Sequence, residues 1–125
     1  MSVTINLIDG FKVGEQTHMT ATLRAPTTKD LIECQEAAEK MVQTEQGPEL
    51  LISPSVMGTA MLARQITRVG DHDGPLTLAE LKRFSVTDFA LLQRAADELD
   101  AALNKKASEA VTKRGRSNQG GKSTG

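Results

Sequence analysis

The chain has 125 residues, enough for one small domain, and its core must be aliphatic because it carries three Phe and neither Trp nor Tyr. A single cysteine, Cys34, excludes an internal disulfide; the opening MSVTINLIDG lacks the basic start and apolar run of a secretion signal; and no stretch approaches the roughly 20 apolar residues of a membrane span, so a cytosolic protein is expected. The net charge of −1 hides a division: residues 1–103 hold nine Lys or Arg against fifteen Asp or Glu, whereas residues 104–125 hold six against one.

Val3, Ile5 and Leu7 alternate with polar residues, and Met19, Ala21 and Leu23 do so again. This period of two predicts a β-hairpin over 3–24, running out over roughly 3–8 and back over 17–24, with Asp9-Gly10 and Gly14 as bends. A lone hairpin is unstable in water, so its apolar face must lie on helices or on another chain. Pro26 ends the second strand. Thr27 with Asp30 forms a capping box that opens a helix over about 28–46, with Leu31, Cys34, Ala38, Met41 and Val42 on one face and Gly47-Pro48 as its stop.

Leu50, Leu51 and Ile52 form a short apolar run. Ser53 as cap and Pro54 in the first turn then open a second helix over 54–69, with Thr59, Leu62, Ala63, Ile66 and Val69 as its face. Asp71–Pro75 reads as a loop. Thr77 and Glu80 box a short helix over 78–84, and Ser85 with Asp88 repeats the device for a last helix over 86–105. The stripe of that helix is Phe89, Leu92, Ala95 or Ala96, Leu99 and Ala102 or Leu103. The expected fold is therefore α+β, an N-terminal hairpin followed by a mainly helical body of about four helices. Residues 1–106 would form one domain, and the small, polar, basic residues 107–125 a flexible tail.

Chemistry is scarce. His18 falls on the polar face of the hairpin, and His72 lies in the loop Asp71-His72-Asp73-Gly74, which lacks the ligand spacing of a calcium loop. Cys34 sits on an apolar stripe and reads as a small buried hydrophobe. Gly120-Gly121-Lys122-Ser123 imitates a phosphate-binding loop, but five residues rather than four separate Gly115 from Gly121, and too little chain follows to make the required helix. No acid–base pair, nucleophile–base pair, metal cluster or cofactor motif emerges, so an enzyme is the last reading. The basic tail has no aromatic to stack on bases, and the acidic body would repel a phosphate backbone, so nucleic acid is not the expected partner. The Leu and Phe stripes read first as core. In so small a body one stripe can stay partly open, which makes Leu62, Ile66, Phe84, Phe89, Leu92 and Leu99 the candidate partner-binding residues.

The order of several segments resembles a known family. Thr22-Leu23-Arg24-Ala25-Pro26-Thr27 after a hairpin is similar to the element that opens tail assembly chaperones of contractile-tailed phages. Met61-Leu62-Ala63-Arg64-Gln65-Ile66-Thr67-Arg68-Val69-Gly70 resembles the middle of the Mu-like branch. Pro75-Leu76-Thr77-Leu78-Ala79-Glu80-Leu81 and the run from Ser85 to Asp100 resemble its C-terminal part. The likeness covers roughly residues 5–100 and leaves 46–58 and the tail unmatched. It implies a non-enzymatic protein of the host cytoplasm that binds the tape-measure protein during tail assembly and is absent from the mature virion. Contacts with the tail tube protein, copies of itself and a longer product made by ribosomal frameshifting are implied as further partners. The alternatives are a structural tail or baseplate component retained in the virion, and a small nucleic-acid-binding regulator.

Overall fold

A computed structural model describes the backbone of residues 1–117 and the side chains of residues 1–111. The fold is α+β. Strands β1 (Ser2–Val13) and β2 (Gln16–Arg24) form the N-terminal hairpin, followed by α1 (Thr28–Ala38), β3 (Glu39–Thr44), β4 (Gly47–Ile52), α2 (Pro54–Gln65), β5 (Ile66–Val69), β6 (His72–Asp73), α3 (Leu78–Leu81) and α4 (Val86–Ser117). One antiparallel sheet has the order β1-β2-β5-β6, and β3 and β4 form a separate two-stranded hairpin.

The core lies between one face of the four-stranded sheet and the helices. Leu7, Phe11, Ala21, Leu23, Ile66 and Val69 come from the strands, and Leu92, Ala95, Ala96 and Leu99 from α4. Leu62 and Ala63 of α2, with Leu76, Leu81 and Phe84, close one side. Val3 and Ile5 are only half-buried at the sheet edge, while Met19 is exposed. Cys34 and Ala38 place α1 against α2. An Arg64–Glu33 ion pair joins the same two helices.

Several expected boundaries are corrected. The first hairpin does not turn at Asp9-Gly10: β1 continues to Val13, and the chain reverses at Gly14-Glu15. Ile8, Asp9 and Gly10 instead form an irregularity inside β1, where the register shifts between Asn6↔Thr20 and Phe11↔His18. Gly10 takes a φ of 87° there, and a Cβ on it would sit 2.6 Å from Met19 and Thr17 side-chain atoms, so only glycine fits.

The first helix does not reach residue 46. It ends at Ala38, and Met41 and Val42 belong to β3, exposed and not on a buried helical face. Leu31, expected on that face, is exposed too. The reason lies across the turn: Met41 pairs with Leu50 and Lys40 with Leu51, and Gly47 takes a φ of 106° in a hairpin turn, so it serves as a turn residue and not as a helix stop. Thr44 Oγ1 donates to the Gly47 carbonyl at 2.7 Å and accepts from the Gln46 amide, which fixes that turn.

The second helix likewise ends at Gln65 and not at residue 69. Ile66–Val69 is β5, because its β-branched residues supply the partner that the open edge of β2 requires. The Asp71–Pro75 loop contains β6, and α3 stops at Leu81, short of the expected residue 84. The last helix does not stop near 105. It runs to Ser117, so 107–117 is helical backbone and not an unstructured tail. Residues 118–125, including the Gly120-Gly121-Lys122 segment, lie outside the described residues.

Candidate functional site

Besides a groove lined by Pro26, Leu31, Met61 and Leu103, the described residues offer two exposed apolar surfaces. The first is a groove at the junction of α2, α3 and the start of α4. The capping box of α3 builds one wall: the Thr77 hydroxyl accepts from the Glu80 amide at 3.1 Å, and the Glu80 carboxylate accepts from the Thr77 amide at 3.0 Å. Glu80 Oε2 also lies 2.6 Å from His72 Nε2. The Thr77 amide, and then His72, hold the Glu80 carboxyl below its ordinary range against the opposing effect of burial.

The turn between α3 and α4 is anchored from below. The Phe84 ring stacks on Phe11 with centroids 4.7 Å apart and planes 25° from parallel. The Arg83 guanidinium lies 4.7 Å from the centre of the same Phe11 ring and bonds the Lys12 carbonyl. The start of α4 is fixed by Asp88, whose side chain is fully buried. Its Oδ1 accepts from the Ile8 amide at 2.6 Å, and its Oδ2 from Asp9 at 3.0 Å and Gly10 at 2.8 Å. The Ser85–Asp88 box is therefore only half made: Ser85 Oγ accepts from the Asp88 amide, while the carboxylate reaches the β1 irregularity instead of its own cap.

Between these anchors lies a groove of about 280 Å³ lined by Thr59, Leu78, Leu81, Lys82, Phe84, Val86 and Phe89. Leu81 and Phe84 are buried in its floor and Phe89 is half-buried, whereas Leu78 and Val86 stand on the rim at 45% and 87% exposure. Thr59 and the Lys82 ammonium are its polar members. Such a lining can take up apolar side chains from a partner.

The second surface is the β3–β4 hairpin. Leu50, Leu51, Ile52, Met41 and Val42 are all exposed, Met41 at 68%. Cross-strand pairing puts Met41, Leu50 and Ile52 on one face and Val42 and Leu51 on the other, so both faces are apolar and open. The Ser53 amide donates to the Ala38 carbonyl at 3.0 Å and ties the base of the hairpin to α1.

The expected partner-binding residues divide on this geometry. Leu62, Ile66, Leu92 and Leu99 are interior and share one core, with no surface from which to touch a partner in the folded chain. Phe84 and Phe89 reach the groove. Leu78, Val86 and the hairpin residues were missed, because a stripe search passes over apolar residues that follow a cap or alternate in a short strand. His18 is not simply solvated: it is half-buried, its Nδ1 accepts from the Asp71 amide at 3.5 Å, and it packs against Gly70. Cys34 is buried, and that burial pushes its thiol up. No group of three His, Cys, Asp or Glu among the described residues is placed to hold a metal ion, and no described helix is long and apolar enough to cross a membrane.

The model of the family described as tail assembly protein gp41 matches residues 7–116. The chain belongs to that family. It is 44% identical over 106 residues to "Probable tail assembly protein gp41" of Escherichia phage Mu, a match that covers 82% of this chain and 74% of the relative. It is equally similar over 106 residues to "Probable tail assembly protein FS-gp41" of the same phage, where the matched stretch is only 56% of the relative. "Mu-like prophage FluMu protein gp41" of Haemophilus influenzae is 32% identical over 117 residues, 93% of this chain and 89% of the relative. No solved structure shows a significant match. The family match also includes residues 46–58 and the part of α4 beyond Asp100, which the sequence resemblance left unmatched. The chain thus has a role in phage tail assembly.

Proposed function

We propose that the chain is a tail assembly chaperone. It binds the tape-measure protein in the host cytoplasm while the tail is built, and it leaves before the virion is complete. The observation that carries the reading is the α3–α4 groove: an apolar floor made by Leu81, Phe84 and Phe89, with Leu78 and Val86 held open on its rim by two buried anchors. A long, partly apolar helical client needs apolar contacts that cover it without closing permanently. Burying the two rim side chains is worth about 1.5–3 kcal/mol each. Ordering costs leave only modest affinity per copy, and many copies on one client raise the total by avidity. The groove acts by binding and not by catalysis.

The test is co-expression with the neighbouring tape-measure gene, followed by mass spectrometry of purified particles. Soluble tape-measure protein co-purifying with the chain, and particles free of it, support the proposal. Persistence of the chain in the particle would make it a structural tail or baseplate component instead. A salt-sensitive gel shift with nucleic acid and no tape-measure contact would favour a regulator.

We also propose that this sequence corresponds to the shorter of two products. The support is that one 106-residue stretch matches two phage Mu relatives of different length, at the same identity. The gene answers the question directly: a slip-prone heptanucleotide at the codons for Lys105-Lys106 or Gly120-Gly121-Lys122, with an overlapping open frame downstream, is the expected finding.

A further inference from the structure

The cations of the body are unevenly paired. Residues 1–103 hold nine Lys or Arg. Arg24, Arg64, Arg68 and Arg94 each meet a carboxylate. The other five, Lys12, Lys29, Lys40, Lys82 and Arg83, are exposed and meet none among the described residues. Three of these five converge on one place. Lys82 lines the α3–α4 groove. Lys12 and Arg83 line a second depression, in which Asp9 is the one acidic member. Phe84 belongs to both linings, so the groove and the depression adjoin.

Arg83 is held in position there. Its guanidinium lies over the Phe11 ring and donates to the Lys12 carbonyl, and Phe84 stacks on the same ring. One anchor therefore fixes both the cation and the apolar floor beside it. A guanidinium has several N–H donors in a planar fork, so donors remain after the Lys12 bond, and their geometry suits a carboxylate. A cation just past a helix can serve the helix dipole alone, which accounts for Lys82 after α3. It does not account for Lys12, which stands on a strand, or for the stacked Arg83. The form of the ligand follows from the groove. Its lining comes from α2, α3, α4 and the turn between the last two, so no strand edge is available for main-chain pairing. A helix needs none, because it satisfies its own backbone.

We propose that the α3–α4 groove receives an amphipathic helix with an acidic flank. Apolar side chains of that helix, spaced i and i+3 or i+4, fill the groove between Leu78 and Val86, and its Asp or Glu residues lie over Arg83, Lys12 and Lys82. The groove supplies contact area, and the cations set the direction in which the helix lies. The same charge rule discriminates against docking elsewhere, since residues 1–103 carry fifteen Asp or Glu that repel an acidic segment. The inference rests on the reading of this groove as the site for a helical partner, and adds the charge that the partner segment carries.

The test uses the full chain and two synthetic helical peptides with the same leucine spacing, one with Glu and one with Lys along the flank, read by fluorescence anisotropy. At low salt the Glu peptide should bind at least about tenfold more tightly, and the gap should shrink at about 0.5 M salt, where charge contacts are screened. Lys12→Glu with Lys82→Glu alters two exposed residues, so circular dichroism should be unchanged while the preference for the Glu peptide is lost. Leu78→Glu with Val86→Glu should abolish binding of the Glu peptide. Equal binding of the two peptides, binding of neither, or a preference that survives either double variant overturns the proposal. The peptides contain no tape-measure sequence, so such a result leaves capture of the tape-measure protein standing. Failed capture beside an intact peptide preference sinks the client reading alone.

Discussion

The carboxylate of Asp88, at the start of α4, accepts the backbone amide of Gly10 at 2.8 Å from 78 residues away in the chain. The same carboxylate takes the amides of Ile8 and Asp9, so one buried side chain satisfies three donors that the irregularity in β1 removes from the strand ladder. Replacing it with Asn swaps one acceptor oxygen for a donor that faces those amides. Asp88→Asn should cost on the order of 3 kcal/mol, since each unsatisfied buried donor costs about 1–3 kcal/mol. The exposed Asp97→Asn should stay within about 0.5 kcal/mol. Chemical denaturation of both variants checks the pair, and equal stability would show that the β1 amides find partners elsewhere.

The helix phase is tested by a second pair. Leu92 is fully buried, and Glu98 is exposed with only a loose 3.9 Å contact to Arg94. Leu92→Asp places an unpaired carboxylate in the core at several kcal/mol, comparable with the stability of a small domain, and should leave no cooperative melt. Glu98→Lys should melt like the wild type. A folded, fully active Leu92→Asp would contradict the assigned core.

Acid should weaken the α1 junction. Asp30 receives both Arg24 nitrogens, at 2.6 and 3.0 Å, and the Thr27 amide at 2.9 Å. The Arg24 guanidinium holds its carboxyl well below the usual range, although burial opposes this. A carboxyl with a depressed folded pKa stabilises fully above its unfolded pKa of about 3.9, and loses that contribution as pH falls toward the folded value. Asp30→Asn should therefore be less stable than the wild type at neutral pH, with the gap narrowing as pH drops below about 3.9. Thermal melts across that range decide it, and a gap independent of pH would mean that the ion pair contributes nothing.

Removing residues 107–125 should lower helical circular dichroism, because α4 runs to Ser117, yet shift the melting temperature by no more than a few degrees. Residues 107–111 are all exposed. A large drop in melting temperature would show that the helix end packs on its own body.

Local signals in the sequence agree with the structure where the structure is local. Thr27 with Asp30 and Thr77 with Glu80 both form full capping boxes, Ser53-Pro54 does open a helix, and Leu7, Ala21 and Leu23 do face the core. What escaped is non-local. Met41 and Val42 fit a helical face until Leu50 and Leu51 are known to lie opposite them, and Ile66–Val69 fits a helix until the open edge of β2 is seen. Asp9-Gly10 has turn chemistry, and only Asp88, far along the chain, holds it within a strand. The same blindness hid the groove: Phe84 and Phe89 were named, but Leu78 and Val86 become its rim only when α3 and α4 are brought together.

The most direct measurement of the proposed chaperone role is co-purification of the tape-measure protein with a groove variant. Val86→Glu with Leu78→Glu alters two exposed rim residues, so the fold should be kept, as circular dichroism would verify. Wild-type chain should carry the tape-measure protein into the soluble fraction and through purification, and the folded double variant should lose at least about tenfold of that yield, the loss expected when about 1.4 kcal/mol or more of contact is removed. Equal capture by the double variant, or a tape-measure protein that stays insoluble beside the wild type, would contradict it.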